Sequence, residues 1–373
     1  MKVDKSKWEN TLIKDSIKTL NVKDAVQKKD YLLTGKYPIV SQEKDYVSGY
    51  CNTEDNLNKD LGSIVIFGDH TRTVKYVDFD FCVGADGVKV LQPNNSLSAK
   101  YLYYFIKWSN IPSNGYARHF KFLKEIRIKY PKDKATQQAI ASELDAVQEM
   151  IDGYKAQIAD LDALTQSKFV DTFGNVSVND KCWDIILMGK LGDFKNGLNY
   201  SKGEIGKPLK IIGVGDFQNI KCLSSFDNIS YINIEDISQE YLLHNEDIVF
   251  VRSNGNKNLV GRCLEVFPNS TEVTFSGFCI RFRKSVEIIN KYLIAVLTNI
   301  EFKNTHILKS NGIGIQNINQ KLLSSLPIPV PLIDMQKKYA SQVEAIEKQK
   351  ELIRQQLADA ETLMAERMQY YFS

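Results

Sequence analysis

Apolar residues recur at alternating spacings of four and three along residues 135–171. This spacing places an apolar residue every 3.5 positions, which keeps one face of a helix against a partner helix. Only Gly153 interrupts the segment with a residue of poor helix propensity. The pattern predicts a long helix packed lengthwise on another helix. Its apolar seam consists of Ile140, Leu144, Val147, Ile151, Tyr154, Ile158 and Leu161.

A second copy of this segment lies 199 residues later and supplies the partner helix. Identical residues recur at that distance, for example Gln137 with Gln336, and the apolar phase is preserved. The second seam has one polar member, Lys350, which we expect to fix the register of the pair at some cost in stability. Its apolar members include Tyr339, Val343, Ile346, Ile353 and Leu357.

Each helical segment follows a region of a different pattern, in which short runs of β-branched and aromatic residues are separated by glycine turns. Such runs predict strands. The predicted strands are 62–67, 73–77 and 81–90 in the first region, and 247–251, 260–266 and 278–282 in the second. The second region is longer, and we place its extra residues at 199–239.

The order globule, helix, globule, helix predicts an α+β fold with an internal pseudo-twofold repeat. Two β-rich domains are separated by two long helices that pack lengthwise on each other. A chain of 373 residues is too long for one core and fits two domains. Charging the seam at Ile151 is expected to uncouple the domains without unfolding either one. The predicted boundaries are 1–132, 133–174, 175–331 and 332–373.

The composition is typical of a folded cytoplasmic protein, with 43% hydrophobic residues and no long uncharged apolar run. Neither a membrane span nor a signal peptide is predicted. The six cysteines form no C-x-x-C pair, so we expect buried reduced thiols and no disulfide or zinc framework.

The net charge of +3 is unevenly distributed along the chain. Residues 133–172 carry eight acidic and three basic residues, and residues 331–373 carry seven and six, so the rest of the chain has a charge of +9. Basic globules favour a polyanionic ligand, whereas the more acidic helices favour protein partners.

No catalytic constellation is evident. The sequence contains no phosphate-binding loop of the G-x-x-x-x-G-K-[ST] type and no H-E-x-x-H metal helix. The four histidines lack metal-ligand spacing, and acidic pairs such as Asp78 and Asp80 are common on surfaces. The sequence therefore predicts a non-catalytic chain without a metal or cofactor of its own.

Polar loops at matching places in both regions are candidates for recognition. Arginine can pair with guanine and asparagine or glutamine with adenine, while lysine and hydroxyl groups hold phosphates. Ordinary solvated turns are the alternative interpretation, and recurrence in two regions favours recognition. The candidate DNA-binding residues are Arg72, Thr73, Lys75, Arg118, His119, Lys121, Arg252, Ser253, Asn254, Asn256, Lys257, Gln316 and Asn317.

With both repeats in view, the chain resembles the specificity subunits of type I restriction–modification systems over its whole length. The segments GDHTRTVKY at 68–76 and VGADGVKV at 83–90 resemble one kind of target-recognition domain. The segments that resemble another are RSNG at 252–255, LVGR at 259–262, GIQNI at 314–318 and LPIP at 326–329.

The resemblance implies that each domain recognises one half of a bipartite sequence in double-stranded DNA. It further implies that the two helices pack as an antiparallel coiled coil, which acts as a spacer and docks two modification subunits. Motor–nuclease subunits can join this complex. S-adenosylmethionine, ATP and Mg²⁺ would then belong to the partner subunits. Three alternatives remain: a specificity subunit of a methylation-only complex, a coiled-coil protein scaffold, and an enzyme with an unrecognised site.

Overall fold

The computed structural model describes residues 3–84, 87–112, 118–200, 205–217, 220–256, 259–308 and 317–373. The chain divides into two compact units, each with one domain and parts of both long helices. Unit 1 comprises Met1–Gln157 with Ile353–Ser373, and unit 2 comprises Ile158–Leu352. The predicted α+β class and two-domain organisation are confirmed.

The first domain is built from short strands whose side chains are mostly β-branched or aromatic. Its helices are α1 Ile13–Ser16, α2 Ala99–Trp108 and α3 Phe120–Lys124. Its strands are β1 Glu9–Leu12, β2 Ile17–Thr19, β3 Tyr37–Val40, β4 Gly49–Cys51, β5 Leu57–Asn58, β6 Ile64–Gly68, β7 Val74–Val77, β8 Phe81–Val83, β9 Val88–Pro93 and β10 Arg127–Tyr130.

The described strands of the first domain form two four-stranded sheets and one two-stranded antiparallel sheet. The main sheet has the order β2-β9-β6-β7 and is antiparallel, and β1 pairs with β10. The second sheet has the order β4-β3-β8-β5, in which β3 and β8 are parallel. Strand β6 is buried on both faces, so the main sheet is the centre of the domain.

The long helix α4 spans Lys134–Phe173 and leads into the second domain. The strands of that domain are β11 Asp184–Leu187, β12 Gly192–Asn196, β13 Lys207–Ile212, β14 Cys222–Leu223, β15 Tyr231–Ile234, β16 Asp247–Val251, β17 Cys263–Val266, β18 Val273–Phe275, β19 Cys279–Lys284 and β20 Pro327–Val330. Its helices are α5 Asn290–Thr298, α6 Ile300–Phe302 and α7 Gln320–Ser324, with a π-helical segment at Lys303–Leu308. The second long helix, α8, spans Ile333–Phe372.

The second domain repeats the topology of the first. Its main sheet has the order β12-β19-β16-β17-β14, so β12, β19, β16 and β17 correspond to β2, β9, β6 and β7. Its second sheet, β15-β13-β18, again contains one parallel pair, β13 with β18. Strand β11 pairs with β20 as β1 pairs with β10. The internal repeat seen in the helices therefore extends to the domains.

Gln137 and Gln336, identical residues of the repeat, have the same structural role. Both side chains are buried in the first turn of a long helix. The Gln137 amide donates to the carbonyl of Pro131 at 2.7 Å and accepts from the N–H of Ser98 at 2.7 Å. The Gln336 amide donates to Pro331 at 2.8 Å and accepts from Ile289 at 3.0 Å. Each glutamine thus fixes the entry of its long helix against the domain before it.

In unit 1, the two long helices pack on each other in opposite directions and join the core of the first domain. Tyr371 donates to the carboxylate of Glu143 at 2.6 Å, and Lys155 pairs with Glu361 at 3.1 Å. The seam residues of this part belong to the same apolar cluster as Tyr101 of α2. They are Ile140, Leu144, Val147 and Ile151, with Tyr154 and Leu357 partly buried against them.

In unit 2, the other parts of the two helices also run in opposite directions. The rings of Phe173 and Tyr339 lie 5.3 Å apart, and the Lys350 ammonium pairs with Asp162 at 2.7 Å. Phe173 and Tyr339 belong to the apolar core of the second domain. Each domain is therefore continuous with the helical segment that adjoins it.

Three sequence expectations change in detail. The predicted strand at 81–90 is two strands, β8 and β9, which belong to different sheets. Only four of the six cysteines are buried, because Cys182 and Cys222 are exposed. The extra residues of the second domain do not lie only at 199–239, since the connections from β16 to β19 and from β19 to α7 are also longer than those of the first domain.

Candidate nucleic-acid interface

In the first domain, three segments meet where the central strand β6 ends. The N–H of Asp69, the next residue, donates to the carbonyl of Gly87 at 2.7 Å. The carbonyl of Asp69 accepts from the N–H of His119 at 2.8 Å. We call the surface formed by residues 69–73, 87 and 118–121 the first strand-end site.

The second domain has the same arrangement where β16 ends. The N–H of Arg252 donates to the carbonyl of Phe278 at 2.8 Å, and its carbonyl accepts from the N–H of Ile318 at 2.9 Å. The main-chain pattern of the first domain is thus repeated with different side chains. We call the surface formed by residues 252–256, 277–278 and 317–321 the second strand-end site.

The first strand-end site presents three exposed basic side chains, Arg72, Arg118 and Lys121. Arg72 has a φ of 61°, in the left-handed region, and its Nη1 donates to the carbonyl of Ile111 at 2.9 Å. The Lys121 ammonium lies 4.8 Å from the centre of the Phe122 ring. Thr73 is partly buried beside them.

Two predicted contact residues of this domain are instead internal. Lys75 is only 4% exposed, and its ammonium donates to the carbonyls of Asp45 and Tyr46. Burial lowers its pKa, partly offset by the nearby Asp45 carboxylate. His119 is 1% exposed, and its Nδ1 lies 3.0 Å from the carbonyl of Asp69. Both side chains are buried and bind main-chain carbonyls, at residues 45–46 for Lys75 and residue 69 for His119. They are not accessible to a ligand and are therefore not among the proposed contacts.

Asp69 organises the start of α3. Its Oδ1 accepts from the N–H of Phe120 at 2.8 Å, which satisfies a helix-terminal donor. Together with the main-chain bond to His119, this contact holds Arg118 and Lys121 beside the turn that carries Arg72. Arg72 is thus brought close to Arg118 and Lys121, although it lies far from them in the sequence.

The second strand-end site brings together two loops that were predicted separately. Ser253 forms an antiparallel bridge with Asn317, and Asn254 accepts from the N–H of Asn256 at 2.6 Å through its Oδ1. The Nη1 of the partly buried Arg252 donates to the carbonyl of Gly277 at 3.4 Å. The site therefore combines one guanidinium with several amide and hydroxyl groups. The predicted contacts Lys257 and Gln316 lie outside the described residues.

Lys321 is a candidate that the sequence interpretation missed. Helices α3 and α7 each bury a leucine, Leu123 or Leu323, and each exposes a lysine two residues earlier, Lys121 or Lys321. The repeated pattern Lys-x-Leu at the same place in both domains is the signal that would have identified it. The two sites thus share one exposed ammonium group at an equivalent position.

The chemistry of both sites is that of hydrogen-bond donors and positive charge. Within the described part of the chain, no group of three or more His, Cys, Asp or Glu residues has the geometry of a metal site. No helix among the described residues is long and apolar enough to cross a membrane. Forked guanidinium donors, amides and ammonium groups fit base edges and phosphates.

Comparisons with known proteins agree with this chemistry. A family model for the type I restriction modification DNA specificity domain matches residues 5–162 and again residues 181–362. The EcoR124I/EcoR124II specificity subunit of Escherichia coli is 24% identical over 333 residues, 84% of this chain and 80% of that protein. The StySPI specificity subunit of Salmonella potsdam is 25% identical over 298 residues, 73% of this chain and 63% of that protein.

A solved structure shares the fold. The crystal structure of the S subunit of a type I restriction-modification system from M. genitalium superposes with a TM-score of 0.60 at 18% identity, covering 100% of this chain and 98% of that one. The two matches to the family model coincide with the two structural repeats and together cover most of the chain. The protein therefore belongs to the family of type I restriction modification DNA specificity domains.

Proposed function

We propose that this chain recognises a bipartite DNA sequence as the specificity subunit of a type I restriction–modification complex. The observation that carries the proposal is the internal repeat of the chain. The family model matches each half of the chain, and each half presents a strand-end site with the same main-chain pattern and its own exposed donors. Two copies of one recognition device suit two half-sites on one duplex.

Within each domain, we assign base contacts to the arginine and amide groups and phosphate contacts to the lysines. In the first domain these are Arg72, Arg118 and Lys121, with Thr73 beside them. In the second domain they are Arg252, Ser253, Asn254, Asn256, Asn317 and Lys321. The different side chains on a common frame would give each half-site its own sequence.

The long helices are the proposed spacer, packed as an antiparallel coiled coil between target-recognition domains at 1–132 and 175–331. Helix α4 has 40 residues, and a helix of that length measures about 60 Å, or roughly 18 base pairs. A spacer of that size fits two half-sites separated along one duplex.

The chain is a specificity component and not a catalytic one, because its family and curated relatives are specificity domains and subunits. The reactions would belong to partner subunits. We propose that two modification subunits dock on the helical segments and bring S-adenosylmethionine, and that motor–nuclease subunits add ATP and Mg²⁺. The acidic surface of 133–172 suits protein contact better than contact with DNA.

The test is adenine-methylation sequencing of cells that make this chain with its neighbouring modification subunit, compared with cells that lack only this chain. A bipartite methylated motif that depends on the chain is the expected result. Exchanging residues 1–132 for those of another family member should change one half of the motif and leave the other half unaltered. Identical methylation with and without the chain would contradict the proposal.

A further inference from the structure

Phe278 is an exposed aromatic residue of the second strand-end site, and none of the recognition roles above uses it. Its side chain is 62% exposed. Single exposed apolar residues are common on protein surfaces, so exposure alone carries no meaning. Two further features distinguish Phe278. It lies next to Arg252, and main-chain hydrogen bonds hold its turn.

The turn at 276–279 is held from three sides. The N–H of Ser276 donates to Ile212 at 2.9 Å, that of Gly277 to Leu198 at 2.8 Å, and that of Cys279 to Ser276 at 2.8 Å. The carbonyl of Phe278 itself accepts from Arg252. These hydrogen bonds fix the backbone at Phe278 before any ligand binds. A contact then orders only the side chain, which lowers its entropy cost.

The same turn touches the polar donors of the site. The carbonyl of Phe278 also lies 3.4 Å from the N–H of Ser253, and the guanidinium of Arg252 lies 3.4 Å from the carbonyl of Gly277. The turn that carries the exposed Phe278 therefore adjoins the Arg252 loop. A ligand that engages Arg252 and Ser253 meets the Phe278 turn as well.

The first domain lacks this ring at the equivalent position. The residue whose carbonyl accepts from Asp69 there is Gly87, which has a φ of 87°. A Cβ on Gly87 would lie 2.8 Å from Cδ2 of His70, so no larger residue fits without a shift. The shared main-chain pattern thus forms without an aromatic residue, and the fold itself does not require the ring of Phe278.

We propose that Phe278 is a specificity-determining residue that contacts the C5 methyl group of a thymine in the half-site recognised by the second domain. This inference rests on the proposed function. The neighbouring guanidinium and amide donors suit the major groove, where the thymine methyl is the apolar feature and phenylalanine is one of its known partners. The half-site recognised by the first domain would have no corresponding contact.

The variants for the test are Phe278→Ala and Phe278→Leu, made in the full complex with the modification subunit. Ile300→Ala is the matched control, because Ile300 is 67% exposed in the same domain and lies outside the site. Adenine-methylation sequencing should show that Phe278→Ala relaxes one thymine position of a single half-site. Phe278→Leu should retain part of that preference, and Ile300→Ala should leave the motif as in the wild type.

Duplex binding supplies an independent readout. Replacing that thymine by uracil removes only the methyl group. The affinity of the wild type should fall about fourfold, which corresponds to the free energy of burying one methyl group, and the affinity of Phe278→Ala should not change. An unchanged motif in Phe278→Ala, or a uniform loss over all sequences as expected for a wedge between base pairs, would overturn the inference. If the wild type has no chain-dependent motif, the proposed function itself fails.

Discussion

The Lys350 ammonium lies 2.7 Å from Oδ1 of Asp162, where α8 packs against α4 in unit 2. Glu347 supplies a second carboxylate at 2.8 Å. Lys350 occupies a seam position among apolar residues and is buried, whereas both acids are partly exposed. The polar member of the seam predicted from sequence thus has a partner on each helix, which ties one helix to the other at a defined position.

Lys350→Met should leave the free energy of unfolding equal to or above that of the wild type, because an apolar residue of similar volume replaces a desolvated charge. Removing the partners instead, in Asp162→Asn with Glu347→Gln, should cost about 1–2 kcal/mol, since the buried ammonium then lacks compensation. Urea unfolding followed by circular dichroism measures both. A large loss of stability in Lys350→Met would contradict this account.

The Lys350 ammonium also makes the free energy of unfolding depend on pH. Burial alone would lower the pKa of Lys350, but the hydrogen bonds that its ammonium donates to Asp162 and Glu347 outweigh this effect and raise the pKa above 10.5. The stabilisation is therefore fully present below that value and is lost as the pH rises through the raised pKa. Wild type should lose more stability than Lys350→Met over that alkaline range. Equal losses in the two proteins would show that Lys350 does not contribute.

Ile151→Asp should destabilise the whole of unit 1. The sequence alone suggested that a charge at this seam position would uncouple the domains and leave both folded. Ile151 instead lies in one continuous apolar cluster with Tyr101 of α2, so a carboxylate there disturbs the domain core. We expect a loss of about 3–5 kcal/mol from the lost packing and the buried charge.

Hydrogen exchange measured by mass spectrometry is the suitable readout for this variant. Protection should fall in β6 and α2 of the first domain as well as in α4. Leu352→Asp is the matched control, because this residue of α8 is exposed and its substitution should leave exchange unaltered. If β6 stayed fully protected in Ile151→Asp, the helical seam would be independent of the domain core, as the sequence alone suggested.

Arg252→Ala should cost about 1–3 kcal/mol of DNA binding at one base position and relax the sequence preference there. Lys321→Ala should weaken binding about equally for all sequences and reduce the slope of log affinity against log salt by about one. Fluorescence anisotropy with the assembled complex and single-base variants of the target separates the two effects. A uniform loss in Arg252→Ala would reassign that arginine to a phosphate.

Thiol labelling should distinguish the cysteines of the native protein. Cys182 and Cys222 are both exposed, and Cys182 should react first. Partial desolvation of the thiol and the Glu265 carboxylate raise the pKa of Cys222 and slow its reaction. Burial raises the pKa of Cys263 to about 12, so this thiol should react only after denaturation. Peptide mass spectrometry after iodoacetamide treatment gives the order, with Cys182→Ser as the control. Rapid labelling of Cys263 would contradict the described packing.

Periodicity in the sequence determined the large features of this protein. The 3.5-residue spacing identified two long helices, and the offset between Gln137 and Gln336 identified the internal repeat, because local patterns of apolar residues reflect which face a segment buries. Strands such as β6 and β16 were recognised for the same reason. Arg252 and Asn317 were also found as candidates, since loop residues keep their polar character wherever the chain places them.

Tertiary structure alone decided which candidates share a surface and which are internal. The sequence interpretation took Lys75 and His119 as polar residues available to DNA. Both are instead buried and bind main-chain carbonyls that are distant in the sequence. The juxtaposition of Arg252 with Phe278, and of Ser253 with Asn317, comes from strand-end hydrogen bonds between segments separated along the chain. Such non-local contacts depend on packing and register, which the local sequence pattern does not encode.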